Sequence, residues 1–380
     1  MPGHNLPIDR QRKATSSLLP LSIPSPSYEW QSFNVGDWLR DLGLDWVTFN
    51  LEIRAYAVCI LIGIVVAAIM TNRRLVRRGG EPWVVLDICL FAVPLGIIGA
   101  RVFHVLTHPD DYFFPGADLL RTLYIWEGGI AIFGALLGGA VGAYIGCRVT
   151  GIRFWSFADA LAPGLLLAQA FGRFGNWFNH ELFGLPTDLP WGLEIESSNP
   201  AFPVGLPEGT LFHPTFLYEV IWNVLGVLFL LYIERKYRLG RRDIAGYSVP
   251  AITPGAYRLQ WGRLFGVYLI WYGVGRTVWE SIRIDPSELF LGIRTNVWAA
   301  LAAILVGLII LVVQARRHPG AEPSVYLPGR EWSPDAVVHS DDIYTDSDDD
   351  DDNDDARQAE IASPVTQGEK PATSGSNAKS

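Results

Sequence analysis

Arg173, Asn176, Asn179, His180 and Glu181 crowd into residues 172–184, at the end of a stretch otherwise apolar enough to cross a membrane. Charged and amide side chains are costly in hydrocarbon and normally face a partner or a polar cavity. Gly172, Gly175 and the closing Gly184 let backbones approach closely and permit a break in the helix. Were the segment helical throughout, Arg173, Asn176 and His180 would share one face. A second set, Tyr272, Arg276, Glu280 and Arg283, also has spacings that share one helical face. There Arg276 and Glu280 can pair, which lowers the cost of burying either, and an arginine fork matches a phosphate bidentately. A third set, His213-Pro214-Thr215 followed by Tyr218 and Glu219, opens another helix with proline in its first turn. Histidine and carboxylate are groups that move protons. Trp126-Glu127-Gly128-Gly129 leads through a tight turn into a glycine-rich helix. The first three motifs each have a structural alternative, namely small-residue packing, an ion pair locking two helices, and capping by His213; the fourth is a weak signal taken alone.

The elements that must carry these residues are membrane spans. Seven stretches, at about 55–72, 83–106, 129–147, 157–179, 213–233, 262–281 and 296–314, are long and apolar enough for a ~30 Å hydrocarbon core. Those holding Asp87 with Pro94, and Asp159 with Pro163, are the weaker by hydropathy. Arg73, Arg74, Arg77 and Arg78 follow the first span, and Arg148 and Arg153 the third. Arg235, Lys236, Arg238, Arg241 and Arg242 follow the fifth, and Arg316 and Arg317 the seventh. All four clusters fall on one side of a strict alternation, which the positive-inside rule makes cytoplasmic. The expected fold is an all-α integral membrane protein of about seven transmembrane helices, N-terminus outside and C-terminus cytoplasmic. At ~1.5 Å per residue, Arg101 lies roughly 27 Å from the inner side, Arg173 roughly 24 Å, and Arg276 and Glu280 roughly 21 and 27 Å. Glu219 lies about 9 Å below the outer side, and Tyr56 and Glu127 flank outer ends. Polar residues thus converge on the outer half, with only loop arginines and lone acids such as Asp87 and Asp159 expected near the inner ends. Long arginines can snorkel without function; Asn176, Asn179, Glu219 and Glu280 cannot reach far.

Composition agrees with this organisation. Of 380 residues, 49% are hydrophobic, and the net charge of -9 is misleading. Ten aspartates between Asp341 and Asp355 account for it; without them 30 basic residues face 29 acidic ones, a balance of +1. Residues 1–50 form an extracytoplasmic segment with a Trp-rich interfacial part, 51–318 the helical domain, and 319–380 an acidic tail whose composition predicts disorder. Residues 1–20 lack the apolar core of a cleavable signal peptide, so the first span is expected to direct insertion. Cys59, Cys89 and Cys147 lie in apolar runs and are expected to be buried free thiols, with neither a disulfide framework nor a metal site. Several arginines, amides and a carboxylate at an outer-leaflet cavity suit an anionic phospholipid, its phosphate on the arginines and its acyl chains along the helices. The residues themselves reach a phospholipid site but no reaction. A non-catalytic transporter or flippase of anionic lipids is the rival, against which stand the off-centre cluster and the lack of an internal repeat.

The chain also resembles the bacterial prolipoprotein diacylglyceryl transferases over roughly residues 22–315. The most specific match is the 172–184 segment. Ile23-Pro24-Ser25-Pro26, Arg54-Ala55-Tyr56, Gly99-Ala100-Arg101, Trp126-Glu127-Gly128-Gly129, His213-Pro214 with Tyr218-Glu219, and Arg276 with Glu280 and Arg283 support it. The resemblance implies a seven-span protein that moves the diacylglyceryl group of phosphatidylglycerol to the lipobox cysteine in a prolipoprotein's signal peptide, releasing glycerol phosphate. Membrane lipid and the prolipoprotein are then its partners, with no nucleic acid, metal or organic cofactor. It implies that Arg173 and Arg276 stabilise charge on the leaving phosphate and that Glu280 holds Arg276. Tyr56, Arg101, Asn176, Glu181, Gly184, Glu219 and Arg283, with the two arginines, would form the phosphatidylglycerol site. One departure matters: many members carry a histidine where this chain has Phe133-Gly134-Ala135. His104, which stands where a tyrosine is usual, is the expected replacement as proton acceptor.

Overall fold

Hydrocarbon offers a backbone no hydrogen-bonding partner, so apolar runs of this length become helices that satisfy themselves. The computed structural model describes residues 22–238, 241–244, 247–250, 259–287, 289–318 and 320–332. Its helices are the short α1 (Val35–Asp41) and seven long ones: α2 (Ala55–Val76), α3 (Val84–Thr107), α4 (Ile132–Thr150), α5 (Phe154–Phe178), α6 (Thr215–Arg238), α7 (Arg263–Ile282) and α8 (Thr295–Arg317). Six of the seven are long and apolar enough to cross a membrane. α7 is not among those six, because Arg276 and Glu280, the residues that make it interesting, also lower its hydropathy. Pro94 and Pro163 are both accommodated inside their helices.

Close backbone approach pairs the helices. α3 and α4 meet through Gly99, Gly134, Gly138 and Gly142; a Cβ on Gly99 would lie 2.5 Å from the Gly134 carbonyl oxygen. Such contacts replace the hydrophobic drive that lipid does not supply. α2 lies on α5, α7 on α8, and α6 between α5 and α7. Trp222 of α6 and Trp271 of α7 stack at 4.4 Å and donate their indole N–H groups to each other's carbonyl oxygens at 3.2 and 3.1 Å. α5 is the most enclosed of the apolar helices and α8 the least, which puts α5 at the centre. Leu301, Leu305, Leu308 and Ile309 of α8 stay exposed, as a lipid-facing surface requires. Of the three free cysteines only Cys147 is buried; Cys59 and Cys89 are partly exposed, because their helices turn those positions toward the lipid side.

The residues between helices are ordered by short strands. β1 (Ser32–Asn34) pairs antiparallel with β2 (Glu52–Arg54), bracketing α1. β3 (Leu193–Glu194) pairs with β4 (Leu211–Phe212), and Ile23 joins β3 in parallel. Phe183, Leu193, Ile195, Phe212 and Phe216 form a core beneath this sheet. β5 (Arg241–Ile244) and β6 (Tyr247–Pro250) form a hairpin after α6, and β7 (Leu289–Phe290) and β8 (Ile293–Arg294) a tight one before α8.

Two expectations change at the bundle end formed by the start of α5 and the end of α6. Order does not stop near 319: residues 320–332 pack there, with Glu322, Val325 and Tyr326 buried. Their backbone pairs with the α4–α5 turn, Arg153 N–H donating to Val325 O at 2.8 Å and Leu327 N–H to Gly151 O at 2.7 Å. The Asp-rich run itself lies outside the described residues. This end also holds a buried polar network that the expected distribution of charge did not contain. Arg74 pairs with Glu234, as does Arg78 at 3.1 Å. Asp159 accepts from the backbone N–H groups of Gly262 and Phe265, both at 2.9 Å, and Ser156 donates to Glu322. Burial pushes the Glu322 carboxyl up from its ordinary value.

A candidate active site between α5, α6, α7 and α8

At the opposite end, four helices contribute to one connected set of charges. α5 supplies Arg173 and Asn176 from its last turns, and Arg173 Nη1 donates to Asn176 Oδ1 at 3.2 Å. Asn176 in turn donates to Glu181 Oε1 at 2.8 Å, which Asn179 also approaches at 3.3 Å. α6 supplies Glu219. One of its oxygens lies 2.8 Å from Arg173 Nη2 and the other 3.9 Å from Arg276 Nη1. α7 supplies Arg276 and Glu280, paired at 2.8 Å, as their four-residue spacing predicts.

Glu280 is 1% exposed. Besides Arg276 it meets Arg283 at 3.4 Å and Arg294 at 3.3 Å, and it accepts from Asn296 Nδ2 at 3.0 Å. A carboxylate this deep is tolerable only when cations and donors fill its lone pairs. Arg283 is shared with Asp285 at 2.7 Å, and Arg294 also donates to the Glu280 and Asp285 carbonyl oxygens. Arg294 and Asn296 were not expected as site residues. Their only trace in the sequence is two polar residues at the start of the most apolar helix, Arg294 just before it and Asn296 in its first turn. What brings them back to α7 is the β7–β8 turn, where Leu291 and Gly292 adopt positive φ.

Glycine contacts place two further expected residues. Tyr56 packs against Gly175, where a Cβ would come within 2.5 Å of the ring; it therefore borders the turn between Arg173 and Asn176. Gly184 sits where a Cβ would be 2.8 Å from His213 Cβ and 3.0 Å from Ile282 O, fastening the segment after α5 to the start of α6 and the end of α7. α5 ends at Phe178, and His180 has φ 51°. His180 therefore leaves the face of Arg173 and Asn176. It is buried against Pro26 O at 2.6 Å and Glu196 Oε2 at 3.0 Å, tying the N-terminal segment down.

Arg101 and His104 belong elsewhere. Arg101 donates to the carbonyl oxygens of Thr122 (2.8 Å), Gly128 (2.7 Å), Gly129 (3.1 Å) and Arg121, so it ties down the loop after α3. The His104 ring stacks on His108 at 4.5 Å and abuts Gly129. Both line a cleft of about 480 Å3 with Asp110, Asp111, Tyr112, Arg121 and Glu127, and none of Arg173, Glu219, Arg276 or Glu280 borders it. Arg101 and His104, expected at the phosphate and as proton acceptor, thus stand apart from the arginine–carboxylate cluster. The tight α3–α4 glycine contact keeps these residues within their own hairpin.

The remaining arrangement has a clear chemical capacity. Two guanidinium groups from different helices flank one carboxylate, and Arg276 Nη1 is buried with no hydrogen-bond partner among the described residues. A buried donor left unpaired costs free energy that an incoming acceptor recovers. An anion with several oxygens, such as a phosphodiester, would satisfy Arg276 Nη1 and Arg173 together.

Comparison with known proteins agrees on one family. Residues 46–313 match the family model described as prolipoprotein diacylglyceryl transferase. A phosphatidylglycerol–prolipoprotein diacylglyceryl transferase of Leifsonia xyli subsp. xyli is 59% identical over 327 residues, covering 84% of this chain and 89% of the relative. One of two from Streptomyces coelicolor is 45% identical over 279 residues, with 73% and 81% covered. One from Bifidobacterium longum is 41% identical over 309 residues, with 78% and 87% covered.

Proposed function

The chain belongs to the prolipoprotein diacylglyceryl transferase family, and from that premise we propose how its arginine–carboxylate cluster works. The enzyme is a transferase that moves the diacylglyceryl group of phosphatidylglycerol to a prolipoprotein. The acceptor in this reading is the thiol of a lipobox cysteine, and the products are a thioether and glycerol phosphate. The cluster lies toward the outer leaflet of the bacterial cell membrane, and α7 crosses as a seventh span. The four basic clusters, all on one side of the alternation, support an outside N-terminus and a cytoplasmic C-terminus.

The observation that carries the reading is the pair Arg173 and Arg276, on separate helices, meeting at a single carboxylate beside a buried N–H that is unpaired among the described residues. Substitution at an sp3 carbon by sulfur gathers charge on the departing phosphate. Guanidinium groups already in place stabilise that charge without reorganising, a kind of contribution worth roughly 10²–10³-fold per donor elsewhere. Glu280 holds Arg276 by its far side, leaving Nη1 directed to the phosphate. Asn176, bonded to Glu181, orients Arg173. Tyr56 borders the site, and Gly184 allows the approach of the segments that carry Glu219 and Arg276. The exposed apolar faces of the helices offer a path for acyl chains from the lipid.

Purified protein with phosphatidylglycerol and a lipobox peptide should yield a peptide heavier by one diacylglyceryl group in thioether linkage. Arg173→Ala and Arg276→Ala should abolish the product at unchanged protein level. Unmodified peptide from folded wild-type protein would refute the proposal and favour a lipid carrier.

A further inference from the structure

The family's usual histidine is Phe133 here, packed against Phe103 at 6.1 Å, and His104 sits in another cleft. The thiol's proton therefore needs a different acceptor. Glu280 and Glu219 differ in a way that decides between them. Glu280 keeps Arg283, Arg294 and Asn296 whatever happens to Arg276. Glu219 has, among the described residues, only the two arginines that the phosphate requires. Glu181 is bonded to amides, and His213 to the Tyr218 hydroxyl at 3.1 Å.

Resting on the transferase reading, we infer that Glu219 is the built-in occupant of the phosphate position and, once displaced, the acceptor of the cysteine proton. A carboxylate and a phosphate cannot both sit between Arg173 and Arg276. When phosphatidylglycerol takes the guanidinium groups, Glu219 is left 7% exposed with neither cation. An uncompensated buried charge is the most costly state available to it, and taking up a proton removes that charge. The thiol supplies the proton. The S–H bond breaks toward Glu219, and the sulfur electron pair forms the S–C bond at the glyceryl carbon. The C–O bond breaks with its electron pair on the phosphate oxygen. The released glycerol phosphate collects the proton from Glu219. Glu219, ionised again, returns to the arginines and expels the product.

The test uses full-length purified protein and glycerol phosphate as the probe. Glycerol phosphate dianion with a protonated Glu219 is the complex left after transfer, so adding glycerol phosphate to weakly buffered wild-type protein should populate it with proton uptake, and Glu219→Gln should lack that uptake. Glu219→Gln should bind glycerol phosphate about tenfold or more tightly, since no internal anion competes. Its kcat should fall by about 100-fold or more, the usual scale for a lost general base, while KM for phosphatidylglycerol falls. Glu219→Asp should recover part of kcat. Absence of proton uptake by the wild type overturns the inference without any variant having to fold. A Glu219→Gln enzyme with wild-type kcat also overturns it, although the wild type transfers the lipid. A wild type that transfers nothing refutes the transferase reading instead.

Discussion

Replacing Glu280 by glutamine removes one charge from the most enclosed part of the cluster, and the structure sets the scale of the effect. Breaking a buried ion pair costs about 3–5 kcal/mol because the surviving charge stays buried. Three guanidinium groups touch Glu280, but they do not lose equally. Arg283 keeps Asp285 at 2.7 Å, and Arg294 keeps two carbonyl oxygens. Arg276 alone loses its close carboxylate, being 3.9 Å from Glu219. One orphaned cation rather than three places the cost near 3 kcal/mol, the lower end of the range. For a chain of 380 residues, with an unfolding entropy of about 0.8 kcal/mol/K, that is a fall in Tm of about 4 °C, measured by thermal unfolding in detergent. Activity should suffer beyond the stability loss. Without its anchor Arg276 closes onto Glu219, and the phosphate must break a stronger contact, so transfer should drop about 100-fold or more at temperatures where the variant is folded. Arg283→Lys, which retains a cation near Glu280 and Asp285, should cost much less on both measures. A Glu280→Gln protein with Tm within about 2 °C of wild type and undiminished transfer would refute the argument that Glu280 positions Arg276.

Three further outcomes follow from the same geometry. Arg173→Lys keeps the charge but loses the fork that reaches Asn176 and Glu219 together, so kcat/KM should fall about 10–100-fold, read in the peptide assay. His104→Gln should transfer at the wild-type rate, since the ring borders the cleft held by Arg101; a large loss would return His104 to the reaction. Glu322→Gln should raise stability at neutral pH. At low pH both states are protonated and Glu322 contributes nothing. As pH rises the unfolded carboxyl ionises before the buried one, so wild-type stability declines from the ordinary carboxylate range up to the elevated value of Glu322. The variant's Tm should lack that part of the decline, and parallel Tm–pH curves would refute it.

Much of this protein was legible in its residue order. Long apolar runs report helices because lipid leaves the backbone no alternative, and strictly alternating basic clusters suggest which way those helices run. The 172–184 segment and the four-residue spacing of Arg276 and Glu280 pointed to helices that meet in one charged cluster, since an ion pair one turn apart is a local property. Residues that owe their place to distant contacts were not legible. Arg294 and Asn296 reach Glu280 only because a two-residue turn folds α8 back on α7. Arg101 looked equivalent to Arg173 by depth, yet depth does not tell which way a helix faces, and the glycine contact between α3 and α4 turns Arg101 to its own loop. Residues 320–332 lack periodicity, so nothing local foretold that Val325 and Tyr326 would be buried at the ends of α4 and α5. Sequence settled which segments form helices and which side chains are costly in lipid, because both depend on neighbours along the chain. Only the packed bundle decided which of those costly groups share partners, because charge compensation depends on distances between helices.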